Sequence, residues 1–159
     1  MALNGYTVRS LRPGDITNLI NDVRPEDREE WHLAASRCGM GDRTLLDLIA
    51  TSIQNSAITR VLVHNEGERV LCIWGASKQP GGAGLAWLIA TTEGQRRARA
   101  AQRHFRKGIE ELHHEFPILI AFPWLDNALH IRWMEKLGFK FNGHCTTLRG
   151  FGEYVRRVR

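Results

Sequence analysis

Three cysteines in 159 residues, Cys38, Cys72 and Cys145, are too few and too scattered for a disulfide framework, and no paired spacing suggests a zinc knuckle. Reduced thiols and no metal site are expected. No apolar run approaches the ~20 residues that cross a bilayer. The start, Met1 to Tyr6, has no charged segment leading into an apolar stretch, so the chain reads as cytoplasmic, without membrane contact. Internal repeats, low-complexity segments and an interdomain linker are also missing, and residues 1–159 are expected to form one domain. A hydrophobic content of 43% with 25% charged residues excludes disorder and suits a globular core.

What is present is positive charge, a formal excess of +5 that suits an anionic partner. Two clusters hold much of it: Gln95 to Arg106, with five arginines, and the tail Arg156, Arg157 and Arg159. The tail reads as a solvated terminus. No nucleic-acid-binding motif accompanies the charge, so nucleic acid is not the expected partner.

Periodicity orders the rest. Tyr6 to Ser10 alternates weakly, as a short strand does, and Pro13-Gly14-Asp15 then supplies a turn and an N-cap for Ile16, Leu19, Ile20 and Val23 at helical spacing. Pro25 stands where helices begin, Glu26, Asp27, Glu29 and Glu30 favour the positive end of a second helix, and Gly39 and Gly41 stop it. Asp42 is a candidate cap for a third, with the face Leu45, Leu46, Leu48, Ile49 and Ile53, ended by Gln54-Asn55-Ser56. From Thr59 the pattern turns to strands. Arg60 to His64 and Arg69 to Ala76 flank Asn65-Glu66-Gly67-Glu68 and predict an antiparallel hairpin. The loop Ser77 to Gly84 leads to the apolar run Leu85 to Ala90, typical of a central strand. Ala98, Ala101, Phe105, Ile109, Leu112 and Phe116 form the stripe of a long helix ended by Pro117. Ile118 to Phe122 is a further strand. Asp126-Asn127 opens a helix through Lys136, Gly138 closes it, and Phe139 to Phe141 and Cys145 to Val155 supply the last strands.

Two segments carry chemistry. Gln95-Arg96-Arg97-Ala98-Arg99-Ala100 stands where a strand passes into the long helix. Amides at a helix N-terminus lack intrahelical acceptors and the helix dipole adds positive potential, so small residues there let phosphates approach. Ala98 keeps its position small but disfavours the positive φ that glycine permits. The second segment runs from Asn127 to Phe139, with His130 one helical turn after Asn127 and one before Met134 on the same face.

The order of elements and both segments resemble the GNAT superfamily of acyl-CoA-dependent N-acetyltransferases. The resemblance implies an α/β (α+β) fold, a mixed central sheet of about seven strands with helices on both faces, in the order β-α-α-(α)-β-β-β-α-β-α-β-β. It also implies acetyl-CoA as co-substrate. In that superfamily a segment Gln/Arg-x-x-Gly-x-Gly/Ala holds the CoA pyrophosphate; Gln95, Arg96, Arg97, Ala98, Arg99 and Ala100 stand at its positions, with alanine in place of the first glycine. Asn127 matches an asparagine that bonds the pantetheine arm, and amides at Leu88, Ile89 and Ala90 are expected to polarise the thioester carbonyl. Met134 stands where a tyrosine often serves as general acid, a role closed to a thioether.

A base for the amine must then come from elsewhere, because Leu85 to Thr92 carries no carboxylate. His130 is the first candidate. Glu30 is the second, since acceptors in the superfamily dock beside the first helices; Glu93 reads as a loop or helix-start acid. Val23 to Glu30, Trp87 to Thr92, His104-Phe105-Arg106, and Ile131-Arg132-Trp133 ahead of Leu137-Gly138-Phe139 resemble more narrowly the podophage internal virion protein A family. That implies a bacteriophage origin, a host or virion protein as partner, and either acetyl transfer to a host-protein amine or a silent role in assembly or binding. His104, His113 and His114 lack the spacing and company of a zinc site. Trp74, Trp87, Trp124 and Trp133 predict core or cleft lining, with Trp124 foremost as a ligand contact.

Overall fold

The computed structural model describes residues 5–158. In chain order the elements are β1 (Tyr6–Arg9), α1 (Asp15–Ile20), α2 (Pro25–Arg37), α3 (Leu45–Asn55), β2 (Ile58–His64), β3 (Arg69–Lys78), β4 (Gly84–Ala90), α4 (Thr92–Arg96), α5 (Ala98–Glu115), β5 (Ile118–Ala121), α6 (Ala128–Lys136), β6 (Lys140–His144) and β7 (Gly152–Arg157). The strands form one seven-stranded sheet in the order β1-β2-β3-β4-β5-β7-β6. Five of the six neighbouring pairs run antiparallel, and β4 and β5 are parallel. The parallel pair requires a crossover, which α4 and α5 provide.

Alternation along the strands sorts the core into two layers. Val61, Ile73 and Ile89 meet Leu19 of α1 and Leu45 and Ile49 of α3 on one face. Leu62, Trp74 and Ala76 meet Ala101 and Leu112 of α5 and Met134 of α6 on the other. Helices therefore cover both faces, and the long apolar stripe packs as its spacing requires. Gly108 makes this possible at the closest point, because a Cβ there would lie 2.7 Å from the Trp74 ring.

Local chemistry corrects several boundaries. Gly14, at φ 91°, takes the N-cap position of α1, while the Asp15 carboxylate turns back to the Arg12 amide at 2.7 Å and the Arg9 guanidinium at 2.7 and 3.0 Å. Thr44, not Asp42, caps α3 by accepting from the Asp47 amide at 3.2 Å. The long helix is preceded by a separate short one. Thr91 Oγ1 caps it at the Gly94 amide, 2.9 Å, and Arg97, at φ −100° and ψ 8°, breaks it from α5. The last strand begins at Gly152 rather than Cys145, because residues 145–151 fold on themselves through Phe151 N–H to Leu148 O and Cys145 N–H to Phe151 O.

Gly94 shows why the break exists. A Cβ on it would stand 2.2 Å from the Leu71 carbonyl oxygen of β3, so the first turn after β4 lies directly on the sheet. Gly94→Ala is expected to cost more than about 2 kcal/mol of stability. Urea denaturation measures it, and a wild-type midpoint would contradict this packing.

Candidate active site

The site starts from a missing partner. β4 and β5 pair only at Gly84↔Leu119 and Leu85↔Ile120 and part beyond that point. Because Thr91 N–H donates to Leu71 O of β3 at 2.9 Å, alternation turns Ile89 toward β3, and Leu88 and Ala90 toward the gap. Unpaired buried backbone groups are costly. At the level of Ala90 the chain itself meets that need.

 Ala90 N–H donates to Asp27 Oδ2 at 2.8 Å, and Ala90 O accepts from Arg24 N–H at 3.0 Å. Val23 bridges Thr91 just above. Of the three amides expected at a thioester, Leu88 faces the gap, Ile89 faces β3, and Ala90 is held by Asp27.

Arg24 anchors a buried polar network at this end of β4. Its side chain is 2% exposed, donates from Nε to Gln95 Oε1 at 2.9 Å and from Nη1 to Asp27 Oδ1 at 2.6 Å, and lies 5.3 Å from the centre of the Trp133 ring. Asn127, 1% exposed, makes no side-chain cap for α6. Its Nδ2 donates instead to Asp27 Oδ1 at 3.0 Å and to Glu30 Oε1 at 3.4 Å. Burial pushes the Asp27 carboxyl up, against the pull of His130, Arg24, Asn127 and the Ala90 amide.

The two residues selected as bases stand side by side. His130 Nδ1 lies 3.1 Å from both carboxylate oxygens of Glu30, whose Oε1 also accepts from the Trp124 amide at 2.9 Å. Burial draws the imidazole down, but the charge and hydrogen bond of Glu30, with the charge of Asp27, outweigh it and hold His130 above the usual imidazole range. Glu30 is buried rather than a solvated helix-start charge. With Nδ1 engaged, Nε2 is the nitrogen left for chemistry.

Glu30 and His130 line a cavity of about 450 Å³. Its walls come from both faces of the sheet: Leu88, Phe105 and Met134 on the α5/α6 side, Trp31, Trp87 and Cys38 on the α2/α3 side. The cleft thus runs through the sheet where β4 and β5 part. A second cavity of about 220 Å³ adjoins it at Phe105, Trp133 and Leu137, walled by Ala98, Arg99, Gln102 and Lys136.

The expected phosphate segment divides between these surroundings. Gln95 and Arg97 amides are spent inside the short helix, on Thr91 O and Glu93 O. The Arg96 and Arg97 side chains grip Glu93 at 2.7 and 2.6 Å, and the Arg97 bond, with the nearby guanidinium charges, keeps that carboxyl low. Ala98, Arg99 and Ala100 form the first turn of α5, where Arg97 supplies no side-chain cap; Ala98 and Arg99 reach the smaller cavity, and Ala100 is exposed.

Trp124 differs from expectation. Its ring neighbours Gly150 and is not part of the cavity wall, which Trp31 lines instead. Arg24, Asp27 and Trp31 carried no separate functional signal beyond a helix start. The signal that existed was spacing: Asp27 and Glu30, like Asn127 and His130, are three apart and share a helix face. Among the described residues, no group of three His, Cys, Asp or Glu side chains is placed to hold a metal ion, the three cysteines are free, and no helix is long and apolar enough to cross a membrane.

No protein-family model matches the chain, and no curated protein matches it. Solved structures do. Aminoglycoside acetyltransferase AAC(6')-Ib in complex with ribostamycin and coenzyme A is 18% identical, with 97% of this chain and 94% of that chain covered and a TM-score of 0.70. Spermidine N-acetyltransferase from Vibrio cholerae, in complex with CoA and spermine, is 11% identical over 98% and 96% at a TM-score of 0.66. An acetyltransferase of the GNAT family from Streptococcus pneumoniae is 13% identical over 97% and 99% at 0.60. The fold is that of the GNAT acetyltransferases.

The network around Ala90 has a measurable consequence. Asp27→Ala leaves the buried Arg24 without its closest counter-charge and is expected to cost about 3–5 kcal/mol. Chemical denaturation reads this, and a midpoint equal to wild type would show that the network is not held as a unit.

Proposed function

We propose that this chain is an acyl-CoA-dependent N-acetyltransferase that moves an acetyl group from acetyl-CoA to an amine, with His130 as the proton acceptor and Glu30 as its positioning partner. The observation that carries the reading is the His130–Glu30 pair, 3.1 Å apart, set in a cleft through the parted strands. The cofactor-binding structures of the same fold support the choice of CoA.

The residues present suit such a ligand. Arg99, Lys136 and the first-turn amides of α5 offer positive potential for a diphosphate, and the adjoining apolar bore suits a pantetheine arm with an unpaired strand edge at Leu88. Acetyl-CoA, when bound, supplies an activated thioester. Everything else falls to the chain. Glu30 fixes the imidazole through Nδ1, so Nε2 accepts the proton that the amine sheds as it attacks. Cleft walls hold the amine in line and exclude water, which raises the effective concentration of the reacting groups. Met134, buried in the wall, has no proton to give, so as the C–S bond breaks the sulfur would leave as thiolate and take its proton from the His130 imidazolium, which restores the neutral base.

One observation favours a second reading. Ala90 N–H and O both serve Asp27 and Arg24, which suits a catalytically silent, GNAT-shaped binding protein whose upper cleft edge is closed by its own chain. The resemblance to podophage internal virion protein A proteins supports a phage setting, with a host or virion protein as partner in the host cytoplasm or the virion.

Isothermal titration with acetyl-CoA separates the two. Binding that weakens at least tenfold in Ala98→Glu, about 1.4 kcal/mol, is the transferase outcome; no heat at millimolar ligand is the binding-protein outcome. With turnover established, His130→Ala is expected to lower kcat by roughly 10²–10⁴. The pH profile carries a sign. His130 must be neutral to accept a proton and is held above the usual imidazole range, so kcat rises as pH passes above that range. Glu30→Gln removes the main force holding the proton and moves the rising limb to lower pH; an unmoved limb would show that another group titrates.

A further inference from the structure

We infer that the acceptor amine is carried on a flat apolar body with no second positive charge, an arylalkylamine in class, seated on the α2/α3 side of the cleft against Trp31 and Trp87. The inference rests on the transferase reading and names the other substrate of the same site. The cleft has two sides, and the basic cavity with Arg99 and Lys136 adjoins it on the α5/α6 side. The α2/α3 side is therefore left for the second substrate, with Glu30 and His130 between the two.

Charge decides which amines fit. Among the described residues lining the cleft, Glu30 is the only carboxylate, and it already serves His130, Asn127 and the Trp124 amide. Arg43 is the only other fully charged group among those described residues, and Thr51, Ser52 and Asn55 of α3 are neutral. A polycation requires a carboxylate for each ammonium group it desolvates, and here it would meet a guanidinium instead. Ribostamycin and spermine, bound in two structures of this fold, are polyamines of the kind this wall rejects.

Shape decides the rest. Trp31 and Trp87 meet edge to face, centroids 5.7 Å apart at 84°. Trp87 is held in place from two sides: its Nε1 donates to Ser56 Oγ at 2.8 Å, and its ring lies over Gly75, where a Cβ would stand 2.9 Å from it. Ala34 and Ala35 of α2 keep the space beside Trp31 open. A preorganised aromatic wall of this kind binds an aryl ring with little reordering, and a short alkyl link brings its amine to His130.

The test is titration calorimetry of the purified full chain in the presence of CoA, with 2-phenylethylamine and spermine as probes. Expected are a Kd for 2-phenylethylamine at least tenfold below that for spermine, a tenfold or greater weakening of 2-phenylethylamine in Trp31→Ala with the Kd for CoA unchanged, and a gain in spermine affinity in Ser52→Glu, which adds the missing carboxylate. Spermine binding more tightly than 2-phenylethylamine to the wild type, 2-phenylethylamine binding unaffected by Trp31→Ala, or spermine binding unimproved in Ser52→Glu overturns the inference. Acetyl-CoA that binds while no apolar amine does overturns it and leaves the transferase reading standing. Trp31-dependent binding of 2-phenylethylamine by a chain that takes up no CoA supports the aromatic chamber and removes the transferase reading instead.

Discussion

The parting of β4 from β5 after two residue pairs is the constraint on which the rest of the molecule depends. A central strand that loses its neighbour leaves backbone donors and acceptors facing inward, and such groups must find partners. At Ala90 the answer is Asp27 and the Arg24 amide; at Leu88 the edge remains open to the cavity. One discontinuity thus creates both the cleft and the polar network that closes one end of it.

That network is also what brings the chemistry together. Asp27 cannot hold the Ala90 amide without being buried, and burial of a carboxylate demands a cation and further donors, which Arg24 and Asn127 supply. Orienting α2 and α6 toward each other for this purpose places Glu30 and His130, one turn further along each helix, in contact. The imidazole is then held by a carboxylate in a setting largely withdrawn from water, where its charge balance is set by the pair rather than by solvent. The same arrangement explains why Asn127 does not cap its helix: its side chain is needed across the cleft.

Much of the fold was legible in the sequence because its determinants are local. The stripe from Ala98 to Phe116 predicts a helix on the sheet, and Ala101 and Leu112 are buried there; the hairpin through Asn65 to Glu68 and the apolar run of β4 likewise follow from period and turn chemistry. Boundaries were less legible where two residues compete for one role. Asp15 and Asp42 both suit an N-cap, yet Asp15 is drawn to Arg9 and Arg12, and Thr44 stands closer to the start of α3. Cys145 to Gly150 has strand-like composition but contains the turn that returns the chain to β7, and nothing local marks where pairing resumes.

For the site, residue types and helix faces follow from local pattern alone: Glu30 on the early helix, Asn127, His130 and Met134 on the late one, and a basic run at the mouth of the long helix. Which of them meet is a matter of the packed fold. Arg24 reaches Gln95 across 71 positions, and Asp27 and Glu30 reach Asn127 and His130 across 100. Propensity, capping and periodicity act over a few residues, whereas these contacts depend on how two helices cross a gap in the sheet. Their geometry comes from the packing of the whole chain and has no counterpart in any short stretch of it.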